Sequence, residues 1–293
     1  MVSDKWLRDV PLAPRTTWRI GGPAKFFFAP ETPDEAVEAW SSARQRGIPV
    51  LVLGKGSNLV VADEGWPGLA LALSDRMNKA EWTRGPSGNL RVRAQAGAKL
   101  SVLAASAVRS GGAGMEKLAG IPGSLGGAVL MNAGAYGQET AQVVVSVLAC
   151  DAEGRKFELG ADECAFGYRT SRFRDGEFLV LEAGLECAPG EAASLKAEME
   201  RHLALRREKQ PLELPNAGSL FKRPQGDFAG RLVEAAGLKG FRVGDAAISE
   251  KHANFAVNLG HATARDVRRL ADEVIRRVRE RFGVELETEQ IFL

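Results

Sequence analysis

The stretch Gly120-Ile121-Pro122-Gly123-Ser124-Leu125-Gly126-Gly127-Ala128 is the most informative part of the sequence, and it continues into Met131-Asn132-Ala133-Gly134-Ala135-Tyr136-Gly137. A glycine in an ordered segment costs about 0.5–1 kcal/mol relative to alanine, because more backbone freedom is lost on folding. The density of glycines therefore indicates a backbone surface that lies against a flat or anionic ligand. The alternative is a loop-rich connection that binds nothing.

A second glycine-rich loop, Gly54-Lys55-Gly56-Ser57-Asn58, directly follows the apolar run Ile48–Leu53. Glycines let main-chain N–H groups approach an anion, and Ser57 and Asn58 add side-chain donors. The residue order is neither that of a Walker loop nor that of a Rossmann fingerprint. A tight turn explains the five residues equally well, but two such loops in one domain indicate a dinucleotide with a pyrophosphate.

The segments around these loops mix strand and helix patterns. Strands are predicted at Ile48–Leu53, Leu69–Leu73, Leu90–Ala94, Val144–Cys150, Lys156–Leu159 and Phe178–Leu185. Helices are predicted after the N-cap Thr32, over Leu100–Val108, across Gly190–Gln210 and after the N-cap Thr263. Strand-rich stretches with few helices favour an α+β fold over a regular βαβ alternation.

Two further features concern the second half of the chain. Pro211 and Pro215 follow the long charged helix and mark the best domain boundary in the sequence. The last helix has arginines opposite its apolar stripe, which would suit RNA. Acidic residues interrupt these arginines, so we interpret the face as solvated.

Composition excludes several classes of protein. The chain has 293 residues, 45% hydrophobic and 26% charged, which is typical of globular proteins of about two domains. Lys and Arg number 39 against 37 for Asp and Glu, so no excess of charge points to a nucleic-acid partner. No apolar run reaches the ~20 residues of a membrane span, and the start lacks a signal-peptide pattern. We therefore expect a soluble, cytoplasmic protein.

The cysteines and histidines exclude other chemistry. Cys150, Cys164 and Cys187 have neither disulfide nor metal-ligand spacing, which favours a reducing compartment and no metal site. The three histidines all lie after residue 200, so none could tether a flavin in the glycine-loop domain. A Gly-x-Ser-x-Gly elbow of serine hydrolases does not occur.

Reactive groups are suggested by three short segments: Tyr168-Arg169-Thr170-Ser171, Asn216-Ala217-Gly218-Ser219 with Lys222 and Arg223 after it, and Glu287 with Glu289. Arg169 is a candidate carboxylate clamp. Two glutamates two apart in a strand-like stretch point the same way. Taken singly, each residue is more often structural than catalytic.

Taken together, the blocks resemble the UDP-N-acetylenolpyruvoylglucosamine reductase (UDP-N-acetylmuramate dehydrogenase) family. They occur in family order at Thr17–Ala24, Gly54–Asn58, Gly120–Gly137, Tyr168–Ser171, Gly218–Lys222, Ser249–Phe255 and Phe282–Glu289. The resemblance implies an FAD-binding domain of the vanillyl-alcohol-oxidase (PCMH) type in two subdomains, residues 1–65 and 66–205. It also implies a C-terminal α+β substrate-binding domain, residues 206–293.

The resemblance further implies a reaction and its residues. NADPH reduces non-covalent FAD, which reduces the enolpyruvyl ether of UDP-N-acetylglucosamine to UDP-N-acetylmuramate for peptidoglycan. Ser219 would be the proton donor, with Arg169 and Glu289 at the substrate carboxyl. The implied FAD contacts are Gly54, Lys55, Gly56, Ser57, Asn58, Gly120, Ile121, Pro122, Gly123, Ser124, Gly126, Gly127 and Gly134. The implied substrate contacts are Tyr168, Lys222 and Arg223, and no nucleic-acid, membrane or obligate protein partner is expected.

The chemistry of these residues agrees with that reaction. Hydride delivery to one carbon of a vinyl ether leaves negative charge that a guanidinium beside the carboxylate stabilises. The other carbon then needs a proton from a positioned acid. Serine is a poor acid, so we hypothesise that Lys222 lowers the cost of the transient Ser219 alkoxide.

The sequence departs from the family pattern at two positions. The family usually has valine after Glu289, whereas this chain has Gln290. One branch has asparagine where this chain has Arg223, and the span from Phe173 to Asn216 is too short for that branch's extra substrate-covering loop. We therefore identify the shorter, second type. The alternatives are another FAD-dependent oxidoreductase of this fold and a nucleotide-binding module without activity.

Overall fold

The computed structural model of the protein describes residues 2–293, with side chains from Asp4 onward. The described chain folds as two compact units. Unit 1 consists of the residues up to Arg8, Phe26–Lys55 and Gly68–Leu205. Unit 2 consists of Asp9–Lys25, Gly56–Pro67 and Arg206–Leu293.

Within residues 2–293 the α-helices include the four predicted ones, close to their predicted bounds, and two short ones that were not predicted. The α-helices are α1 (Pro33–Gln45), α2 (Leu100–Arg109), α3 (Leu125–Met131), α4 (Ala192–Lys209), α5 (Ala229–Ala235) and α6 (Ala264–Phe282). Thr32 caps α1, because its side chain accepts a hydrogen bond from the Glu35 N–H. No helix within residues 2–293 is long and apolar enough to cross a membrane.

The strands confirm the predicted α+β class. They are β1 (Leu7–Pro11), β2 (Pro23–Phe28), β3 (Val50–Leu53), β4 (Leu59–Val60), β5 (Trp66–Ala72), β6 (Ala80–Arg84), β7 (Leu90–Gln95), β8 (Gly112–Ala113), β9 (Gly134–Ala135), β10 (Gln138–Glu139), β11 (Val144–Cys150), β12 (Lys156–Gly160), β13 (Leu179–Pro189), β14 (Arg242–Val243), β15 (Ala246–Ile248), β16 (Ala256–Asn258) and β17 (Ile291–Phe292). All six strands predicted from the sequence are present, with ends shifted by a few residues.

Unit 1 is built on an antiparallel sheet in the order β12-β11-β13-β7-β6, with β8 paired to the end of β13. Alternate residues of β7 are buried, which is why Leu90–Ala94 alternates apolar and basic residues. β3 and β5 pair in parallel within a second sheet, of order β1-β2-β5-β3. The Trp40 indole of α1 donates a hydrogen bond of 2.9 Å to the Asp151 carbonyl, which fastens α1 to the β11–β12 turn.

Unit 2 has its own core around α6. Thr263 and Asp266 form the predicted capping box, and the stripe of Val267, Leu270, Val274 and Val278 is fully buried. β14, β15 and β16 form an antiparallel sheet, and β4 pairs in parallel with β17. On the other face of α6, Arg276 and Arg277 pair with Glu273. These ion pairs support the solvated-face interpretation of the arginines.

The glycine-rich segment Gly120–Gly137 differs from the predicted loop, because it contains α3 and β9, the first strand of the β9–β10 hairpin. Ser124 is the N-cap of α3, and Asn132 ends it in the left-handed conformation at φ 41°. Leu125 and Val129 are completely buried. Burial of the apolar side of α3 thus outweighs the low helix propensity of its two glycines.

Candidate functional site

The two glycine loops meet within unit 1. A Cβ on Gly54 would overlap the Ser124 Oγ, and one on Gly126 would lie 2.9 Å from the Ala96 Cβ. The Ser74 hydroxyl also donates a hydrogen bond of 2.7 Å to the Gly54 carbonyl. Glycine at position 54 therefore lets the end of β3 approach the start of α3. The sequence predicts that both loops bind an anion. In the structure Gly54 and Ser124, one residue of each loop, lie against each other.

The first turn of α3 has most of its N–H groups satisfied by the protein. The N–H groups of Leu125 and Gly126 donate to the carbonyls of Ala98 and Ala96, both at 2.8 Å. The Gly127 N–H donates to the Ser124 hydroxyl at 3.4 Å. These three N–H groups therefore already have acceptors within the protein, which differs from the expectation that this part of the loop donates to an anion. We expect such contacts from the residues before α3, Gly120 to Ser124.

Arg169 is held against the far end of the same glycine-rich segment. Its guanidinium donates to the Gly134 carbonyl at 3.2 Å and lies 5.0 Å from the ring centre of Tyr168. The Arg169 backbone has φ 56°, an uncommon conformation for a residue with a side chain. Asn132 secures this turn by donating to the Gly167 carbonyl at 3.0 Å. The turn thus orients a half-buried cation beside an exposed aromatic ring.

The remainder of the first glycine loop, Gly56 to Asn58, belongs to unit 2. Gly56 is buried at φ 59°, and a Cβ there would overlap the Arg15 carbonyl. The Asn58 side chain donates a hydrogen bond of 3.1 Å to the Glu289 carbonyl. The Ile291 N–H donates in turn to the Asn58 carbonyl at 2.9 Å. Asn58, predicted as a cofactor contact, thus also holds the backbone of Glu289.

Ser219 lies in a turn that unit 2 holds by side chains. It forms an isolated antiparallel bridge with Phe255, and the Gly218 N–H donates to the Asn216 Oδ1 at 2.9 Å. Asn254 accepts from the Phe221 N–H at 3.0 Å and donates to the Phe221 carbonyl at 2.9 Å. These bonds hold the backbone on both sides of Ser219, whose side chain is half-buried.

Glu287 and Glu289 lie in an extended segment and not in a regular strand. It joins the Ser219 segment through one bridge between Phe221 and Thr288, and the Glu289 N–H donates to the Leu220 carbonyl at 2.8 Å. The segment is therefore strand-like as predicted, but it pairs through a single bridge and forms no regular strand. Unit 2 brings Glu289 and Ser219 onto adjoining backbone segments.

The two predicted substrate-side cations, Lys222 and Arg223, each contact another side chain of unit 2. Lys222 Nζ lies 3.0 Å from the Glu287 Oε2, so a carboxylate shares its charge. The exposed Arg223 guanidinium lies 4.6 Å from the ring centre of Phe228. The sequence predicts neither contact. Lys222 and Glu287 are far apart in the chain, and no local pattern pairs Arg223 with Phe228.

The thiols do not supply a nucleophile. Burial raises the pKa of Cys150 to about 12 and those of Cys164 and Cys187 to about 11, so all three are protonated at neutral pH. Burial lowers the pKa of His252, whose Nδ1 accepts a hydrogen bond of 3.2 Å from the Asn254 N–H. Within residues 2–293 no group of three or more His, Cys, Asp or Glu residues could hold a metal ion.

Sequence reasoning missed three side chains that organise unit 2: Trp18, Asn254 and Gln290. Trp18 and Asn254 both lie inside blocks that carried the family resemblance, but nothing in those blocks indicated their hydrogen bonds. Gln290 was visible as a departure from the family pattern. Only 3% of Gln290 is exposed in the structure. The signal available in the sequence was an amide where the family pattern has an apolar residue.

Comparison with known proteins agrees with this arrangement. Residues 24–160 match a family model described as an FAD binding domain, and residues 210–293 match the C-terminal domain of UDP-N-acetylenolpyruvoylglucosamine reductase. The chain is 46% identical to UDP-N-acetylenolpyruvoylglucosamine reductase 2 of Symbiobacterium thermophilum over 96% of this chain and 90% of that protein. It is 44% identical to the reductase of Heliobacterium modesticaldum, over 97% of this chain and 90% of that protein.

A solved structure extends the similarity to the fold. The crystal structure of UDP-N-acetylenolpyruvylglucosamine reductase from Thermus caldophilus superposes with a TM-score of 0.80 at 36% identity, over 98% of both chains. Identities above 40% over nearly the full length, together with both domain models, leave a single family. The chain therefore belongs to the UDP-N-acetylenolpyruvoylglucosamine reductase family.

Proposed function

We propose that the chain catalyses the NADPH-dependent reduction of UDP-N-acetylglucosamine enolpyruvate to UDP-N-acetylmuramate, with non-covalently bound FAD, in peptidoglycan precursor synthesis. The observation that carries the proposal is family membership over nearly the whole chain, with both domain models matched. The chain also contains Arg169, Ser219 and Glu289, to which we assign the catalytic roles.

The glycine loops of unit 1 fit a dinucleotide cofactor. Gly54 lies against Ser124 where any larger residue would overlap, so the two loops form one surface of backbone. We assign the FAD contacts to Gly54–Asn58, Gly120–Ser124, Gly126, Gly127 and Gly134. Gly126 and Gly127 would allow close approach of the backbone and would not act as donors, because their N–H groups already donate to Ala96 and Ser124. Bound FAD would supply the hydride that it takes from NADPH. The side chains of Ser57 and Asn58 and the residues before α3 would hold its polar groups.

Each proposed catalytic side chain has one task. Arg169 binds the substrate carboxylate and stabilises the negative charge that hydride addition delocalises onto it. Ser219 donates a proton to the carbon that becomes carbanionic. Glu289 acts together with Arg169 at the substrate carboxyl. Tyr168, Lys222 and Arg223 contact the remainder of the sugar nucleotide.

The acidity of Ser219 needs a nearby positive charge, because a serine hydroxyl is a weak acid. Lys222 is three residues away, but its ammonium pairs with Glu287. We propose that substrate binding releases Lys222 from this exposed carboxylate, whose side chain is 74% exposed. An exposed ion pair is worth at most about 1 kcal/mol, so its loss is a small cost.

Separate measurement of the two half-reactions tests the function. In anaerobic stopped-flow experiments, NADPH should bleach the flavin of the wild-type protein, and UDP-N-acetylglucosamine enolpyruvate should restore its colour. Ser219→Ala should leave reduction by NADPH unchanged and slow reoxidation by roughly 10²–10⁴-fold. The control is Ser87→Ala, an exposed serine of unit 1.

Three outcomes would contradict parts of this proposal. A purified protein that takes up no flavin would contradict FAD binding. A flavoprotein that NADPH reduces but the enolpyruvyl nucleotide does not reoxidise would be another FAD-dependent oxidoreductase of this fold. Normal reoxidation of Ser219→Ala would remove the role of the serine alone.

The proposal includes a location and an organisation of the chain. We place the enzyme in the cytoplasm, which the three free, buried thiols support. We propose FAD-binding subdomains at 1–65 and 66–205 and a substrate domain at 206–293, although Asp9–Lys25 and Gly56–Pro67 pack in unit 2 with the C-terminal residues. The matched family models, which end at 160 and start at 210, are compatible with this division.

A further inference from the structure

Gln290 uses its buried amide to join three parts of unit 2. The Trp18 indole N–H donates to the Gln290 Oε1 at 2.8 Å, between two side chains that are almost completely buried. The Gln290 Nε2 donates to the Gly218 carbonyl at 3.3 Å and approaches the Ser219 carbonyl at 3.5 Å. Both ends of the amide are therefore satisfied, and one of them holds the turn that carries Ser219.

Other bonds also hold the Ser219 turn, among them those of Asn254 to the Phe221 backbone. The Gly218 N–H donates to Asn216, and Ser219 pairs with Phe255 through a single bridge. Gly218 has φ 76°, so the chain turns sharply just before Ser219. The Gln290 amide fixes the carbonyls on the opposite side of this turn and limits its rotation.

The backbone of Gln290 continues directly from Glu289. The Glu289 N–H donates to the Leu220 carbonyl at 2.8 Å, and the Asn58 side chain donates to the Glu289 carbonyl at 3.1 Å. The Ile291 N–H donates to the Asn58 carbonyl. Gln290 therefore has its backbone in the segment of Glu289 and its side chain on the turn of Ser219.

We propose that Gln290 is a positioning residue, which holds the Ser219 hydroxyl and the Glu289 segment in one arrangement for proton donation. This inference rests on the proposed function. Proton transfer depends steeply on placement, and a displacement of about 1 Å can cost roughly 100-fold in rate. A valine at this position would have no polar group, so it could neither accept from Trp18 nor hold the turn.

Trp18 offers a way to separate positioning from simple stability. Gln290→Val leaves the Trp18 indole buried without an acceptor, which destabilises the fold by itself. Gln290→Val combined with Trp18→Phe removes both partners, so no polar group is stranded between them. Trp18→Phe alone removes the indole donor but leaves the Nε2 bonds to the turn.

The experiment measures both half-reactions and unfolding for these three variants in the holoenzyme. We expect Gln290→Val to slow reoxidation by UDP-N-acetylglucosamine enolpyruvate about 10- to 100-fold, with flavin reduction by NADPH and the substrate Kd changed less than about threefold. The double variant should regain stability relative to Gln290→Val but stay slow. Trp18→Phe should react within about threefold of wild type, as should the control Gln225→Val at an exposed glutamine.

A readout independent of activity checks the bond itself. The Trp18 indole N–H signal, assigned by its loss in Trp18→Phe, should be protected from solvent exchange in wild type and shift in Gln290→Val. An unchanged signal would overturn the proposal, as would a double variant that regains the reoxidation rate along with stability. If the wild-type flavin is not reoxidised by this substrate, the proposed function fails and the inference fails with it. If wild type is reoxidised but Gln290→Val is equally fast, the inference alone fails.

Discussion

The glycine-rich surface of unit 1 and the Ser219 turn of unit 2 are constructed in opposite ways. The surface of unit 1 consists of backbone: Gly54 lies against Ser124 because neither loop has a bulky side chain at the contact. The Ser219 turn is held by side-chain amides from Asn254 and Gln290. A backbone surface needs small residues close together in sequence, whereas an amide network can recruit residues from anywhere in the unit.

This difference explains which region the sequence revealed. Glycines cluster visibly in Gly120–Gly137, so composition and spacing alone predict that this segment lies against a ligand. The partners in the bond between Trp18 and Gln290 are 272 positions apart, and no local pattern connects them. Local surfaces can therefore be recognised in a single sequence, while side-chain networks require the folded chain.

Within unit 1 the largest effect should come from Arg169, which lies against the glycine-rich segment. Arg169→Ala should slow reoxidation by substrate roughly 10²–10³-fold, because the substrate carboxylate loses its guanidinium. FAD content and reduction by NADPH should stay normal. The control is Arg172→Ala, since the exposed Arg172 only stacks on Phe178. Loss of FAD from Arg169→Ala would show that Arg169 serves the cofactor surface instead.

A smaller effect should follow from a methyl group in the backbone surface. Gly54→Ala places a Cβ onto the Ser124 Oγ, so either the Ser124 side chain rotates out of its capping position or β3 and α3 separate. We expect the FAD dissociation constant, measured by titrating deflavinated protein, to rise about tenfold, which corresponds to about 1.4 kcal/mol. Ser124→Gly in the same chain should restore binding, because it removes the overlapping atoms and glycine is an acceptable N-cap.

The matched control for this prediction is Gly85→Ala. A Cβ there would meet its nearest atoms at 3.9 Å, which is ordinary contact. Equal weakening by Gly54→Ala and Gly85→Ala would contradict the claim that the two loops require this close approach.

The smallest effect should be on how the stability of the protein depends on pH, through His252, which contacts Asn254 in unit 2. Burial lowers the pKa of His252, so the folded protein binds fewer protons than the unfolded chain below the unfolded pKa of about 6.5. The stability that neutral His252 contributes is present above that pH and is lost as the pH falls through the folded pKa. His252→Gln should therefore show a flatter fall in the free energy of unfolding between pH 7 and pH 5 than wild type.

Denaturant titrations across this pH range measure the difference. Burial also lowers the pKa of His202, so both proteins should lose some stability in acid and only the difference between their slopes reports on His252. His261→Gln, at an exposed histidine, is the control. Parallel slopes for wild type and His252→Gln would show that protonation of His252 does not oppose folding.

Several elements could be predicted because their signals are local. The Thr32 cap of α1, the Thr263–Asp266 capping box of α6 and the β11–β12 hairpin all follow from residues within a few positions of each other. The sequence assigns Leu125–Met131 to a glycine-rich loop, whereas the structure has a helix there. Burial of Leu125 and Val129 outweighs the low helix propensity of the glycines between them. That burial cannot be inferred from the neighbouring residues in the sequence.

Residue order was sufficient to indicate the α+β class, a glycine-lined cofactor surface and the family, since these depend on short-range patterns and on the succession of motifs. It did not indicate that Asn58 would hold the backbone of Glu289, or that Gln290 would bond to Trp18 and the Ser219 turn. These bonds form between groups that are neighbours in space alone. A buried amide is tolerated only where its partners converge, and that convergence arises when the whole unit folds.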